Sequence, residues 1–425
     1  MSPERGATFR DVFAIAEFRA LWTAQLLSVI GDQLARVALT VLVYQRTHSP
    51  LLAAVTFTAS LVPNFLGGIL LSPIADRLSR RQVMIGTDVA SGLLVAVMAL
   101  PGMPLAVLII LLAAVTMAGA LFQAARAANM PDVLPGDRYV LGTAVTFTTI
   151  QFAQVLGFAV GGVTVAFLGL RTSLLTDAVT FAVSAVITRI WVQARPAARP
   201  GPDSDHPAGP RASRLQRALN NTMAGLRLVF GQPALRTPML FGWLCAFYNV
   251  PEGVATPLAH RLGGGASRDA VAVGLILASA ALGSTIGALC FSRFVPPDQR
   301  IRWMGPLAVA ACGLLILFAA RPGLAGVLII LTGSGLCTCY QLAANASFVR
   351  ATPPEQRSQA FGIAQGGINL GQGLLIVAAG GAAELVSPDT VICTAGAIGV
   401  VCALVLAGGG LLARLRPARR GESWG

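Results

Sequence analysis

The sequence predicts an all-α membrane protein with twelve transmembrane helices in two pseudo-symmetric six-helix halves. Three observations predict it. Of 425 residues, 55% are hydrophobic and only 12% are charged, about half the charge of a soluble domain, where roughly 25% is usual. Mean hydropathy is +0.71. The apolar residues gather into runs of the length that crosses a bilayer as a helix, roughly 20 residues each. Six runs, one polar stretch and six further runs follow one another along the chain.

The amino terminus, MSPERGATFRDVFAIAEFR, places charges on both sides of a short apolar patch and offers no small-residue cleavage site. It does not read as a cleaved signal peptide. The first six runs lie near 20–45, 51–75, 83–101, 104–127, 140–168 and 172–193. WVQARPAARPGPDSDHPAGPRASRLQRALNN comes next, rich in Pro, Arg and small polar residues, and reads as a soluble linker. A short amphipathic helix is expected near 214–230. The second six lie near 238–260, 270–292, 304–320, 324–349, 359–386 and 389–413. The expected division is a first half over 1–193, a linker over 194–237 and a second half over 238–425.

Arginine placement sets the orientation. All 31 basic residues are Arg. With the amino terminus in the cytoplasm, most of them fall on the cytoplasmic side. Arg46, Arg171, Arg261, Arg268 and Arg321 fall outside, and Arg36 remains within the first span. This asymmetry predicts that both termini and the linker are cytoplasmic. Protease added to right-side-out vesicles should therefore leave the linker intact, whereas inside-out vesicles should be cut there. Cleavage from the outside would reverse the topology.

Other classes are excluded. The net charge of +13 suits a nucleic-acid binder, but here the charge sits at the ends of membrane spans, so no nucleic-acid partner is expected. Without lysine, neither a P-loop nor a Schiff-base site is available. His48, His206 and His260 are far apart in sequence. Cys245, Cys290, Cys312, Cys337, Cys339, Cys393 and Cys402 all lie in or beside apolar runs. They read as small apolar helix residues and not as metal ligands or disulfides. No catalytic constellation, cofactor or metal is expected.

The stretch SPIADRLSRRQV (72–83) puts Asp76, Arg77, Arg80 and Arg81 into the connection between the second and third spans. DR-x-x-RR at this place resembles the signature loop of the major facilitator superfamily, whose pattern is roughly G-x-x-x-D-R-x-G-R-R. Ser72 and Ser79 stand where that pattern has glycine. The resemblance implies a transporter whose loop latches the two halves on the cytoplasmic side. It places the acid near the start of the eleventh span, around Ser358 and Gln359, where a helix N-terminus favours a carboxylate. Asp88, early in the third span, is the expected arginine partner.

A degenerate second copy, GALCFSRFVPPDQRIRW (287–303), sits between the eighth and ninth spans, with Ser292 in place of Asp76 and Arg293 in place of Arg77. PGDRY (135–139) and TPPEQRSQAFG (352–362) are also equivalent. Such an internal repeat is expected of this superfamily.

VIGDQLARVAL, FQAARAANMPDVLP and TDAVTFAVSAV resemble the drug-efflux branch that includes macrolide and enterobactin exporters. The fifth span, QVLGFAVGGVTVAFLG, keeps Gly157, Gly161 and Gly162, but Phe158 replaces the proline that antiporters often carry there. These glycines read equally as close helix packing and as a mechanistic element.

Asp32 is the acid nearest the middle of any span, and Arg36 lies one turn on. Charges there are costly and point to function by default. Asp32 either binds a proton or a cationic substrate group while Arg36 tunes it, or the two form an internal i, i+4 ion pair that adjusts packing. Glu252 lies in FYNVPEGVATP, where Pro251 and Gly253 should break the seventh span. Broken backbone is tolerated in a membrane only where it lines a cavity or is buried in protein. Glu252 therefore either faces a cavity with Asp32 or sits at the outer interface. Asp177 and Glu384 are expected to be solvated at the outer ends of spans 6 and 11.

The resemblance implies a secondary active transporter in a bacterial cell membrane, driving efflux of a lipophilic small molecule with protons. An importer or symporter on the same fold, or a non-transporting membrane scaffold or sensor, remains open. Phe57, Phe65, Phe147, Trp243, Phe247 and Tyr248 are expected cavity walls. The expected partners are a small-molecule substrate, protons and the lipid bilayer, and the protein is expected to be a monomer.

Overall fold

The computed structural model describes residues 8–60, 63, 79–195, 223, 225–263, 265–296, 299–353 and 356–415. Among these residues every regular element is helical. Nine helices among them are long and apolar enough to cross a membrane. Leu141–Trp191 holds two crossings, because its 51 residues exceed by far what a bilayer core of about 30 Å needs. The turn between them is Gly169, at φ 80° and ψ 169°, a region open essentially to glycine alone. The second span is described at its start, Pro50–Thr58. The seventh is broken into Pro233–Trp243, Cys245–Tyr248, Val250–Gly253 and Ala255–Arg261, with Pro251 and Gly253 in the third piece. The architecture is therefore consistent with twelve spans.

Local chemistry sets several of these ends. Ser49 caps Pro50–Thr58 by accepting from the Leu52 N–H, and Pro50 occupies the first turn, where its missing N–H costs nothing. Ser79 and Gln82 form a capping box at the start of Arg80–Met98. Packing begins earlier than residue 238, because Val229 and Leu235 are fully buried in a cluster with Met239, Phe348 and Ala360. The cysteine pair Cys337 and Cys339 falls at a break between Leu324–Cys337 and Tyr340–Ala351.

The first span, Ala16–Thr47, packs along the hairpin Asp137–Trp191 through small residues. A Cβ on Gly157 would stand 2.9 Å from Gln33 Cβ, and one on Gly161 would stand 3.2 Å from Leu34 Cα. Small residues let membrane helices approach this closely. Ile110, Phe167, Val179 and Ile190 are exposed on the outside of the bundle, as lipid-facing positions would be.

The largest apolar cluster joins the two halves at one end. It contains Val41, Ala54 and Phe57 from the first half and Leu258, Val273, Phe318 and Ile376 from the second. Polar contacts close the same end. The Ser49 hydroxyl donates to Glu384 at 2.5 Å, and the rings of Tyr44 and His260 meet edge to face at 5.7 Å. Arg261 Nε lies 2.8 Å from Asp389, and its Nη2 donates to the Pro322 carbonyl at 3.0 Å. The Arg261 Nε–H is not aligned on the carboxylate, so that contact is a charge pair and not a hydrogen bond. At the opposite end, near where the described chain starts and stops, each apolar cluster among the described residues stays within one half. Among the described residues the halves are joined at the loop end, and no apolar cluster joins them at the terminal end.

Arginines hold the terminal end within the first half. Arg80 pairs with Asp132 at 2.5 Å and donates to the Ala128 carbonyl at 2.6 Å. Arg81 donates to the Arg189 carbonyl. Arg195 grips Glu17 with two N–H groups, at 2.5 and 2.9 Å. Planar guanidinium forks suit such two-point contacts better than lysine would.

Candidate functional site

Two polar pockets carry the buried carboxylates. One lies inside the first half, between spans 1, 3, 4 and 6, with a volume of about 110 Å³. Asp32, Arg36, Asp88 and Asp177 line it, with Ser28, Ser60, Thr87, Ser91, Thr116 and Gln123. The other lies between the halves, holds about 300 Å³, and is lined by Phe147, Gln151, Gln154, Tyr248, Asn249, Glu252 and Gln341. A further space of about 330 Å³ shares Phe147, Gln341 and Leu342 with it and adds Asn345 and Gln365. Together these two form a vestibule that opens where the halves part. A larger cavity, about 640 Å³, lies wholly in the second half and has no carboxylate in its wall, so it is not where the buried charge converges.

Asp32 and Glu252 therefore do not share one cavity. The two pockets have no lining residue in common. Arg36 connects them electrostatically, because it interacts with both carboxylates. Its guanidinium carbon lies 5.4 Å from the centre of the Phe57 ring, a cation–π contact worth up to about 2 kcal/mol when desolvated. No carboxylate oxygen lies within 4.0 Å of it among the described residues. The direct i, i+4 ion pair is thus not formed, and Arg36 Nε has no hydrogen-bond partner there.

Asp177 differs most from expectation. It is 0% exposed, not solvated at the outer end. Span 6 starts after Gly169, so Asp177 stands about two turns inside it. Gly31 of the first span has no side chain to keep the carboxylate away, and a Cβ on Gly31 would overlap the Asp177 oxygen. Ser173, Asp177, Phe181, Ser184 and Thr188 repeat at helical spacing and are all buried. That polar stripe within TDAVTFAVSAV was the signal available in the sequence. Glu384 is exposed and caps the closed end through Ser49.

Among the described residues Asp88 meets neither Arg80 nor Arg81. Its carboxylate accepts from the Ser184 hydroxyl at 2.6 Å, while Arg80 takes Asp132 instead. Asp88 stands two turns into Arg80–Met98 and so faces the pocket. Asp76, Arg77 and Phe65 lie outside the described residues. Arg126, near the end of span 4, is a further half-buried cation, and its Nε donates to Gln123 at 3.2 Å. The sequence signal for it was an arginine inside the run 104–127.

The aromatic residues divide. Phe147 and Tyr248 line the vestibule, and the Gln341 amide donates to the Tyr248 hydroxyl at 2.8 Å. Phe57 is 1% exposed and belongs to the core that joins the halves. Trp243 donates to the Ala364 carbonyl at 3.1 Å and packs against Gly367. Phe247 packs on Gly399. Phe57 on span 2 and Trp243 and Phe247 on span 7 are therefore packing residues, their rings turned into protein. The amides of Gln151, Gln154, Asn249, Gln341, Asn345 and Gln365 take the wall instead. Gly162 meets Gly274 of the second half: its Cβ would stand 2.7 Å from the Ala270 carbonyl and 2.9 Å from Gly274 Cα.

The model of the Major Facilitator Superfamily matches residues 21–340. The chain belongs to this superfamily. The enterobactin exporter EntS of Shigella boydii serotype 4 (strain Sb227) is 26% identical over 278 residues, which is 64% of this chain and 62% of EntS. The multidrug efflux pump Tap of Mycobacterium tuberculosis (strain ATCC 25618 / H37Rv) is 26% identical over 284 residues, 63% of each chain. The match thus spans less than two thirds of these curated relatives. Among solved structures, a POT family transporter in complex with 5-aminolevulinic acid superposes with a TM-score of 0.73 at 11% identity, covering 92% of this chain and 95% of that one. A bacterial homologue of the human lysosomal transporter Spinster, inward-facing and occupied, gives 0.66 at 15% identity, covering 96% and 98%. At such identities the structural likeness speaks for the fold. The chain is thus a multi-pass membrane protein of a transporter superfamily.

Proposed function

We propose that this transporter exports a lipophilic small molecule across a bacterial cell membrane in exchange for protons. The observation that carries the reading is the polar pocket between the halves. Among the described residues apolar packing joins the halves at the loop end and no apolar cluster joins them at the terminal end, and the pocket between them holds Glu252. With the termini cytoplasmic, as arginine placement predicts, this is the state that loads substrate from inside. The likeness to EntS and Tap, both exporters by name, supports the direction.

The vestibule wall favours a particular chemistry. Phe147, Leu342 and Phe361 supply apolar surface, while the amides supply donors and acceptors in fixed positions. Pockets of this kind bind molecules with an apolar body and several hydrogen-bonding groups. Drugs, macrolides and siderophore-like compounds all fit that description. Glu252 would hold a basic group where the substrate carries one, and Asp32 would be the main coupling carboxylate. The loop residues Asp76, Arg77, Arg80 and Arg81 would latch the halves once the vestibule closes.

Cells with and without this protein should be compared for accumulation of ethidium, a macrolide and a catecholate siderophore. At least one of them should accumulate less in cells that make the protein, and collapse of the proton gradient should remove the difference. Greater accumulation with the protein present would make it an importer.

A further inference from the structure

The pocket inside the first half has a property that the export reading does not use. Three carboxylates, Asp32, Asp88 and Asp177, face a space of about 110 Å³, and the charge of Asp32 acts on both of the others. Arg36 is the cation within the pocket. Arg126 lies at one end, where it donates to Gln123. Isolated charges in a water-poor interior are costly and are neutralised by partners or by protons. One guanidinium cannot balance three carboxylates, and Arg36 also serves Glu252 on its other side.

The hydrogen bonds show where the balance is unmet. Asp88 has the Ser184 hydroxyl at 2.6 Å. Asp177 is 0% exposed, and among the described residues its Oδ2 has no hydrogen-bond partner although the residue borders the pocket. Thr180 gives its other oxygen only a 3.3 Å contact, having committed its hydroxyl to the Asp177 carbonyl at 2.7 Å. A buried carboxylate oxygen with no donor, beside an open space, is a place for a small cation. The hydroxyl groups around it are too few and too dispersed to cage a divalent ion, and no group of three ligating residues suited to a metal occurs among the described residues.

We propose that this pocket is a proton-loading compartment separate from the substrate vestibule, in which Asp177 carries a proton beside Asp32, while Arg36 relays the charge state of the compartment to Glu252. The inference rests on the proton-coupled reading above and extends it from one carrier to two. In each loading step a water-borne proton forms an O–H bond with a carboxylate oxygen of Asp32 or Asp177. In each unloading step that bond breaks and the proton returns to water at the other face, leaving the carboxylate charged. Substrate never enters this compartment, so coupling runs through Arg36. When Asp32 and Asp177 are neutral, the guanidinium is free for Glu252. When they are charged, it is drawn back and Glu252 is left to a cationic group of the substrate. Two interacting carboxylates of this kind titrate as a pair and not as single residues.

Infrared difference spectroscopy of the full-length protein in lipid nanodiscs at neutral pH tests this without a known substrate. The protein should show absorption from protonated carboxyl groups. Asp177→Asn and Asp32→Asn should each remove part of it, and the control Asp11→Asn, outside the pocket, should remove none. Should Asp177→Asn fail to fold, Asp177→Glu should instead move the band to the glutamic acid frequency. Glu252→Gln frees Arg36 for Asp32 and should weaken the band. A spectrum that ignores Asp177 substitution overturns the second carrier, and one that ignores Glu252→Gln overturns the relay. A band that responds to replacing choline chloride by sodium chloride makes the compartment a sodium site and overturns proton loading. These failures leave the export reading standing, because that reading is decided by the accumulation panel and not by the carboxyl band.

Discussion

Asp32→Asn is expected to reduce proton-driven export to the leak of protein-free vesicles, while the protein still reaches the membrane. The amide is nearly isosteric and keeps hydrogen bonding, but it cannot exchange a proton in this range. Its neighbours then lose their partner in the cycle. Asp88 and Asp177 no longer feel the alternating charge of Asp32, and Arg36 turns permanently toward Glu252. The measurement is uptake into inside-out vesicles, driven by an imposed pH gradient, of whichever compound the accumulation panel identifies. Downhill movement of a neutral compound should survive, since the vestibule is lined by other residues. Glu252→Gln should do less harm to transport, or change which compounds are accepted. Gradient-driven uptake in Asp32→Asn equal to that of the unmodified protein would remove Asp32 from the mechanism.

The fold was legible in the sequence because bilayer thickness translates directly into apolar run length. The break in the seventh span around Val250–Gly253 followed from Pro251 and Gly253, since a missing N–H and a missing side chain close together weaken a helix. The loop arginines announced the superfamily by their spacing. What sequence could not supply was facing. Asp177 lies near an end of its run, and distance from the end suggested water. Its burial depends on which side of span 6 meets Gly31, a tertiary fact set by the Gly169 turn. Asp32 and Glu252 looked like partners across a symmetry axis because both are buried acids in equivalent spans. That they border different pockets depends on the rotation of the first span, with Asp32 on its inner side and Arg36 between the two. Trp243 and Phe247 read as cavity walls because aromatic rings usually supply them. Close approach of Gly367 and Gly399 drew both rings into packing and left the wall to amides.

Gly162→Leu is expected to open the joined end of the bundle. Gly162 and Gly274 bring spans 5 and 8 together across the halves, and a single Cβ at Gly162 would already press on the Ala270 carbonyl and Gly274 Cα. Both neighbours are backbone, so neither yields as a flexible side chain would. Overpacking of this kind costs about 1–3 kcal/mol. That cost falls only on the conformation in which the two glycines touch. The alternative, with the loop end parted and the terminal end closed, escapes it. A penalty of about 1–3 kcal/mol on one of two states shifts their ratio by about 5- to 150-fold. Ser49 and Glu384 report the joined state, because their side chains meet at 2.5 Å. In a cysteine-free background, Ser49→Cys with Glu384→Cys should cross-link readily. Adding Gly162→Leu should slow that cross-link by a factor in the same range and make the vestibule residue Phe147, replaced by cysteine, less accessible to a water-soluble thiol reagent from the terminal side. The two readings must fall together, since closing the vestibule is the other half of opening the loop end. A slower cross-link with more labelling of the cysteine that replaces Phe147 would mean that the bundle had merely loosened, and no change in either would show that the glycine contact does not set the balance between the two states.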